Sequence, residues 1–392
     1  MRRRSLLSGI AGTVLSSRIA AAAGKDPGPV VESLEVSRIR VNHRGNWLLL
    51  RTKASNRLTG LGDASHGGDE AAQLQAIQKV FDGLKGRGIY DVEWLRSSSA
   101  APDRVTATAM SALEQTLWDL QAKTARVPLY DLFGGALRSE IRTYANINRT
   151  VVNRTPQGFV EIAKQAIDEG FDAVKLAPFD GMPKLEGNES KVAEWTDLGV
   201  ACAEAVRAAI GPRCDLMIDL HGHLDRDRGL RLLDRLAALN LFWIEEVTPA
   251  QPLSDLAAIN AAGKMPTAGG ESIYGVQGFF PYIAAKTVSV TMPDVKCCGG
   301  LLETKKIAAI AEGAGLKVSP HGPASPVGDM AAAHVCATVQ NFVILEHAYG
   351  EVPWRAELIN PRESFVNGRI RLTEAPGLGI DWNEVAMKGH LI

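Results

Sequence analysis

Three acidic residues close three short apolar runs at equal intervals along this chain. Leu216-Met217-Ile218 ends in Asp219, Phe242-Trp243-Ile244 in Glu245, and the Gly269-Gly270 pair leads into Glu271. Both separations, 219 to 245 and 245 to 271, are 26 residues. One strand, one helix and their two loops fill about that length. Each carboxylate therefore falls at the same height on successive parallel strands, at the rim where barrel enzymes carry their active sites.

The surrounding rhythm agrees. From residue 141 onward short apolar runs alternate with amphipathic stretches. Strands are expected at Arg142–Asn146, Ala173–Leu176, Asp215–Asp219, Phe242–Glu245, Thr267–Glu271, Ser289–Met292, Lys317–Pro320 and Val343–Glu346. Helical patterns fall between them, as in Glu161–Glu169, Val200–Ile210 and Leu301–Glu312. Alternating β and α units predict a parallel sheet, and eight of them predict closure into an α/β barrel of the (β/α)8 type. Such a barrel takes about 250 residues, and the chain has 392. The remainder suits a second, smaller unit. Residues 31–65 read as an antiparallel meander with a polar turn at His43–Asn46, followed by helices near 69–86 and 105–124. We expect an α+β capping domain over 26–138, the barrel over 139–348 and a C-terminal segment, 349–392, that returns to the cap.

Other readings are narrowed by composition. A net charge of −1 and the lack of an internal polybasic run argue against nucleic acid as a partner. No run past the leader reaches the roughly 20 apolar residues of a membrane span. The five cysteines show neither zinc spacing nor an even count, and are read as small buried hydrophobes. Residues 1–25 differ from the rest. Arg2-Arg3-Arg4-Ser5-Leu6-Leu7, a short apolar stretch and the run Ala20 to Ala23 have the layout of a cleavable signal of twin-arginine type. Export, to a periplasm for example, is the expectation. The alternative is a cytoplasmic protein with a non-signal arm.

Three acids converging on one rim repel each other unless a cation joins them. An all-oxygen set favours Mg²⁺ over zinc. A merely solvated acidic rim is the alternative. Asp294, His321 and Glu346 end the following three strands. An Asp beside a His fixes the imidazole tautomer and raises its basicity, so the pair suits a general base.

These residues resemble the enolase superfamily, and within it the mandelate racemase group. The resemblance rests on Trp243-Ile244-Glu245-Glu246, Gly270-Glu271, Pro293-Asp294 with Gly299-Gly300-Leu301, Pro320-His321 and Leu345-Glu346. Ala112 to Leu120 and Leu132-Phe133-Gly134-Gly135 resemble its capping-domain signature. It implies a modified barrel under a cap, Mg²⁺ on Asp219, Glu245 and Glu271, the dyad His321–Asp294 as base, and Glu346 on the substrate carboxylate. It also implies that a loop over 63–68, with Ser65 and His66, helps choose the substrate, and that the chain forms a homo-oligomer. Where racemases of the group carry Lys-x-Lys, this chain has Lys175-Leu176-Ala177. Lys175 is left to steady the carboxylate, and Ala177 cannot move a proton, which counts against racemisation. Asp219-Leu220-His221 resembles the Asp-x-His of galactonate-type and mannonate-type dehydratases, whose His protonates a departing hydroxyl. The expected reaction is dehydration of a sugar acid, aldonate or aldarate, to a 2-keto-3-deoxy acid. A cycloisomerase, an epimerase and a catalytically silent sugar-acid binding protein are the alternatives. Arg149 is a candidate substrate contact.

Overall fold

In a computed structural model, residues 28–98 and 103–392 are described; the signal-like leader lies outside them. The first layer comes from one continuous apolar run. Strand β1 (Val31–Asn42) pairs antiparallel with β2 (Gly45–Ala54), which pairs with β3 (Thr59–Asp63). The run Trp47-Leu48-Leu49-Leu50 is buried throughout because this sheet is covered on both faces. Leu48 and Leu50 pack with Ile77, Phe81, Leu113 and Leu117 of the cap helices. Trp47 and Leu49, pointing the other way by the two-residue pleat, pack with Val327, Ile359 and Trp382. The helices over Glu70–Leu84 and Arg104–Ala125 begin at Asp69 and Asp103, whose carboxylates accept from Ala72 N and Thr106 N. Those caps satisfy amides that have no partner within the helix.

Eight strands follow: β4 (Glu140–Asn146), β5 (Ala173–Leu176), β6 (Asp215–Asp219), β7 (Trp243–Glu245), β8 (Thr267–Gly269), β9 (Val290–Thr291), β10 (Lys317–Val318) and β11 (Leu345–Ala348). Each pairs in parallel with its neighbour from β4 to β10, and β11 pairs in parallel with β4. The seam beside β11 is closed by Val318 N to Asn341 O and Val343 N to Val318 O, both 3.0 Å. The result is the expected barrel. Tyr144, Ala173, Met217, Trp243, Met292 and Ile344 form its inner plug. Two residues further along the same chain segments stand Asn146, Lys175, Asp219, Glu245, Asp294 and Glu346. The pleat turns each of these toward the axis as well, one layer nearer the mouth.

The strands are shorter than expected at several ends. Strand β8 stops at Gly269, because Gly269 and Gly270 take φ of 158° and 112°. The kink lets Glu271 join the rim although it sits at an odd position in the pleat. The tail divides between the two units. Arg369–Arg371 pairs with β4 of the barrel, through Ile370↔Ile141, rather than with the cap sheet. The later tail returns to the cap: Leu129 N donates to Gly377 O, Leu378 N to Asp119 Oδ1, Arg51 Nη1 to Glu384 Oε1, Arg40 N to His390 O and Ile392 N to Arg38 O.

Among the bonds that tie cap to barrel, those at Glu114 also cap a helix. Glu114 of the long cap helix accepts from Leu301 N at 2.8 Å and Leu302 N at 3.0 Å, and so caps the barrel helix Leu301–Gly313. Gly300 has φ 91°, and a Cβ there would lie 2.2 Å from Glu114 Oε2. Only glycine fits that position. All five cysteines are buried and unpaired, as read from the sequence. No helix among the described residues is long and apolar enough to cross a membrane.

Candidate active site

The rim layer surrounds a cavity of about 150 Å³ roofed by the cap. Lys175, from β5, lies at its floor. Its ammonium stands 2.9 and 3.0 Å from the Glu245 oxygens, 3.2 Å from Glu346 and 3.6 Å from Asp219. Burial works against its charge, but Glu245 and Glu346 outweigh burial and hold its pKa well above the usual lysine value. Glu346, from β11, accepts from Asn146 Nδ2 at 2.5 Å and Gly322 N at 2.9 Å.

His321 sits just past β10 and bridges in parallel to Asp294, just past β9. Its Nδ1 is 2.8 Å from Asp294 Oδ2. A carboxylate there keeps the Nδ1 proton and leaves Nε2 as the basic atom. Asp294 is itself fixed by the Lys296 ammonium at 2.8 and 2.9 Å. Burial lowers the His321 pKa, but Glu271, Glu346 and Asp294 raise it further, to about 9. A cation that neutralised Glu271 would return His321 toward the neutral imidazole a base requires.

His221, past β6, has φ 46°. Its Nδ1 lies 2.5 Å from Asp180 Oδ1 and its Nε2 3.1 Å from Asp219 Oδ2. Asp219 chiefly, with Asp180, raises its pKa to about 12 against the effect of burial. The left-handed turn is what brings the ring over the mouth.

Do these residues suit a divalent cation? Asp219, His221 and Glu271 each offer a ligand atom, and those atoms lie within 4.8 Å of one another. Glu271 Oε2 is buried and accepts no hydrogen bond among the described residues, although His321 Nε2 is 3.1 Å away. Neighbouring Glu246 is pushed up to about 8 by burial and by Glu271, Asp219 and Glu245, a sign of surplus negative charge. The donor set fits a hard cation. Glu245 has a cationic partner of its own. It lies beside Asp219 in register, but its oxygens engage Lys175, and one also accepts from Trp243 Nε1 at 3.0 Å. Here His221, rather than Glu245, groups with Asp219 and Glu271, because Lys175 supplies the positive charge next to Glu245.

Of the expected substrate contacts, His66 and Arg149 line the cavity and meet each other at 3.3 Å. Ser65 does not line it. Its hydroxyl accepts from Leu48 N at 3.1 Å and holds β2 to the chain after β3. Lys296, Asp180, Asn146, Arg44 and Arg104 were not singled out from the sequence. Asn146 carried a signal, since it ends β4 at the same pleat position as Lys175 on β5.

Residues 27–134 match the N-terminal domain of the mandelate racemase / muconate lactonizing enzyme family, and residues 158–386 match the enolase C-terminal domain-like family. A D-xylonate dehydratase from Haloferax volcanii is 29% identical over 371 residues, covering 92% of this chain and 89% of the relative. A D-galactonate dehydratase from Verminephrobacter eiseniae is 28% identical over 349 residues, covering 86% and 89%. The crystal structure of a mandelate racemase/muconate lactonizing enzyme-like protein from Rubrobacter xylanophilus is 32% identical, with a TM-score of 0.86, covering 93% of this chain and 98% of that one.

Proposed function

This chain belongs to the mandelate racemase / muconate lactonizing enzyme family of the enolase superfamily, and on that premise we propose that it is a lyase that dehydrates a sugar acid. The observation that carries the proposal is the presence of two His–Asp pairs, His321–Asp294 and His221–Asp180, with both imidazoles lining one cavity around a carboxylate cluster. An elimination needs both a base and an acid.

Asp219, Glu245 and Glu271 are the residues proposed to hold Mg²⁺, with His221 adjacent. When bound, Mg²⁺ would acidify the hydrogen next to the substrate carboxylate and stabilise the ene-diolate. Lys175 and Glu346 orient that carboxylate. His321 Nε2 takes the α-proton, and the electron pair of that C–H bond moves to form the C=C bond. His221 gives a proton to the β-hydroxyl, whose C–O bond breaks with release of water. The enol then ketonises to a 2-keto-3-deoxy acid. Epimerisation has little support, since Ala177 occupies the place a second base would need. Supporting the dehydration reading are relatives named as dehydratases of D-xylonate and D-galactonate. We further propose that the chain forms a homo-oligomer and that residues 1–25 direct its export.

The test is a panel of aldonic and aldaric acids with Mg²⁺, read by keto-acid formation and product mass. Dehydration lowers the mass by one water. A product of unchanged mass would point to cycloisomerisation, and no product from any member would overturn the dehydration reading.

A further inference from the structure

The fixed cations around the cavity differ in one respect. Lys175 has Glu245 at 2.9 Å, Lys296 has Asp294 at 2.8 Å, Arg149 has Glu351 at 2.6 Å, and Arg44 has Asp180 at 3.4 Å. Arg104 also lines the cavity. Among the described residues its guanidinium has no hydrogen bond or ion pair. It is not far from negative charge: burial works against its pKa, but Cys297, then Asp294 and Glu271, act on it through space and raise it. Neither carboxylate is paired with it: Asp294 engages Lys296 and His321, and Glu271 Oε2 stands 3.1 Å from His321 Nε2.

Arg104 is the first residue of the long cap helix. It therefore enters the cavity from the roof, whereas Lys175 rises from the barrel floor. A guanidinium is a planar fork shaped for a carboxylate, and leaving one half-buried without a partner is costly.

We infer that Arg104 binds a second, terminal carboxylate of the substrate, so that the preferred substrates are aldaric rather than aldonic acids. The inference rests on the dehydration reading and deepens it. One carboxylate is held on the floor by Lys175 and the metal cluster, and the other is held by Arg104. An aldonic acid presents a neutral hydroxymethyl group there and leaves Arg104 unpaired. A site built around a charged partner rejects the analogue that lacks it. Arg44 and Arg149, already engaged by Asp180 and Glu351, are less free to take this role.

The experiment compares galactarate with galactonate, which differ only at that terminus, using wild type, Arg104→Gln and Arg104→Lys. Wild type should favour galactarate in kcat/KM. Arg104→Gln should lose about 10²-fold on galactarate, little on galactonate, and so lose the preference. Arg104→Lys should recover part of the loss. Equal losses on both acids, or a wild type that favours galactonate, overturn the inference while leaving dehydration intact. A galactonate carrying a terminal phosphate is a third arm. If it outruns galactarate and depends equally on Arg104, the terminal anion is phosphate and the diacid assignment falls. Binding is read separately, by calorimetry with galactarate and Mg²⁺. If no acid turns over, the dehydration reading fails by itself, and Arg104 is then judged by whether Arg104→Gln weakens galactarate binding.

Discussion

Asp180 Oδ1 lies 2.5 Å from His221 Nδ1, as Asp294 Oδ2 lies 2.8 Å from His321 Nδ1. The two pairs come from separate parts of the barrel. His321 and Asp294 follow adjacent strands, while Asp180 stands in the loop after β5 and His221 in the loop after β6. Asp180 is itself held by Asn148 at 2.9 Å and Arg154 at 3.3 Å. It therefore serves as a rigid positioning residue for an exposed ring.

From this pairing, Asp180→Asn should cripple the acid without touching the base. We expect roughly a 10- to 100-fold loss of dehydration, a fraction of what a general acid contributes. Exchange of the substrate α-hydrogen with D₂O should continue at near the wild-type rate. Parallel loss of exchange and dehydration would show that Asp180 supports the whole mouth rather than His221.

A stability prediction follows from Lys175. Its ammonium is buried among Glu245, Glu346 and Asp219. Removing one partner from a buried ionic group leaves uncompensated charge and costs about 3–5 kcal/mol. Lys175→Met should lower the denaturation midpoint accordingly, and saturating Mg²⁺ should restore part of the loss. If Mg²⁺ stabilises wild type and variant equally, the carboxylates that face Lys175 do not share the ion.

The metal proposal is tested at Glu271, whose Oε2 is buried without a hydrogen bond. Glu271→Gln should weaken Mg²⁺ affinity by at least 10-fold, measured by calorimetry. Chelation should abolish activity and added Mg²⁺ should restore it. Full turnover after exhaustive chelation would remove the metal from the mechanism.

The features legible in the sequence were those set by local period. Strand length, helix length and the two-residue pleat are short-range, so Asp219, Asp294, His321 and Glu346 could be placed on one rim from spacing alone. What escaped depends on contacts between distant segments. Ser65 looked like a loop contact, but its hydroxyl is taken by the amide of Leu48 across the sheet. Lys296 had no visible role, yet its chain doubles back to grip Asp294 two residues earlier. Spacing places Glu245 on the rim but carries no information about the lysine that engages it. Arg104 reads as an ordinary first-turn residue of a helix until the cap is laid over the barrel.

Glu114 gives a pH prediction whose sign depends on which of two effects is larger. The carboxylate is buried and accepts from Leu301 N, Leu302 N and Trp118 Nε1, which favour its charge. A helix N-terminus favours the charge further, by up to about 2 kcal/mol. Burial opposes these and is the larger effect, raising the pKa from 4.5 to about 7. At about 1.36 kcal/mol per unit, that rise corresponds to about 3 kcal/mol. Because the folded pKa exceeds the unfolded one, the folded state binds more protons between pH 4.5 and about 7. The contribution of Glu114 is then fully present below pH 4.5 and is lost as pH rises through about 7. Glu114→Gln, a neutral isostere, lacks this titration. Measured by urea denaturation, wild type should therefore lose stability relative to Glu114→Gln between pH 5 and pH 8, by up to about 3 kcal/mol. A wild-type advantage that grows over the same interval would mean that the helix terminus and the three donors outweigh burial. Glu114 would then cap Leu301–Gly313 as a stable anion.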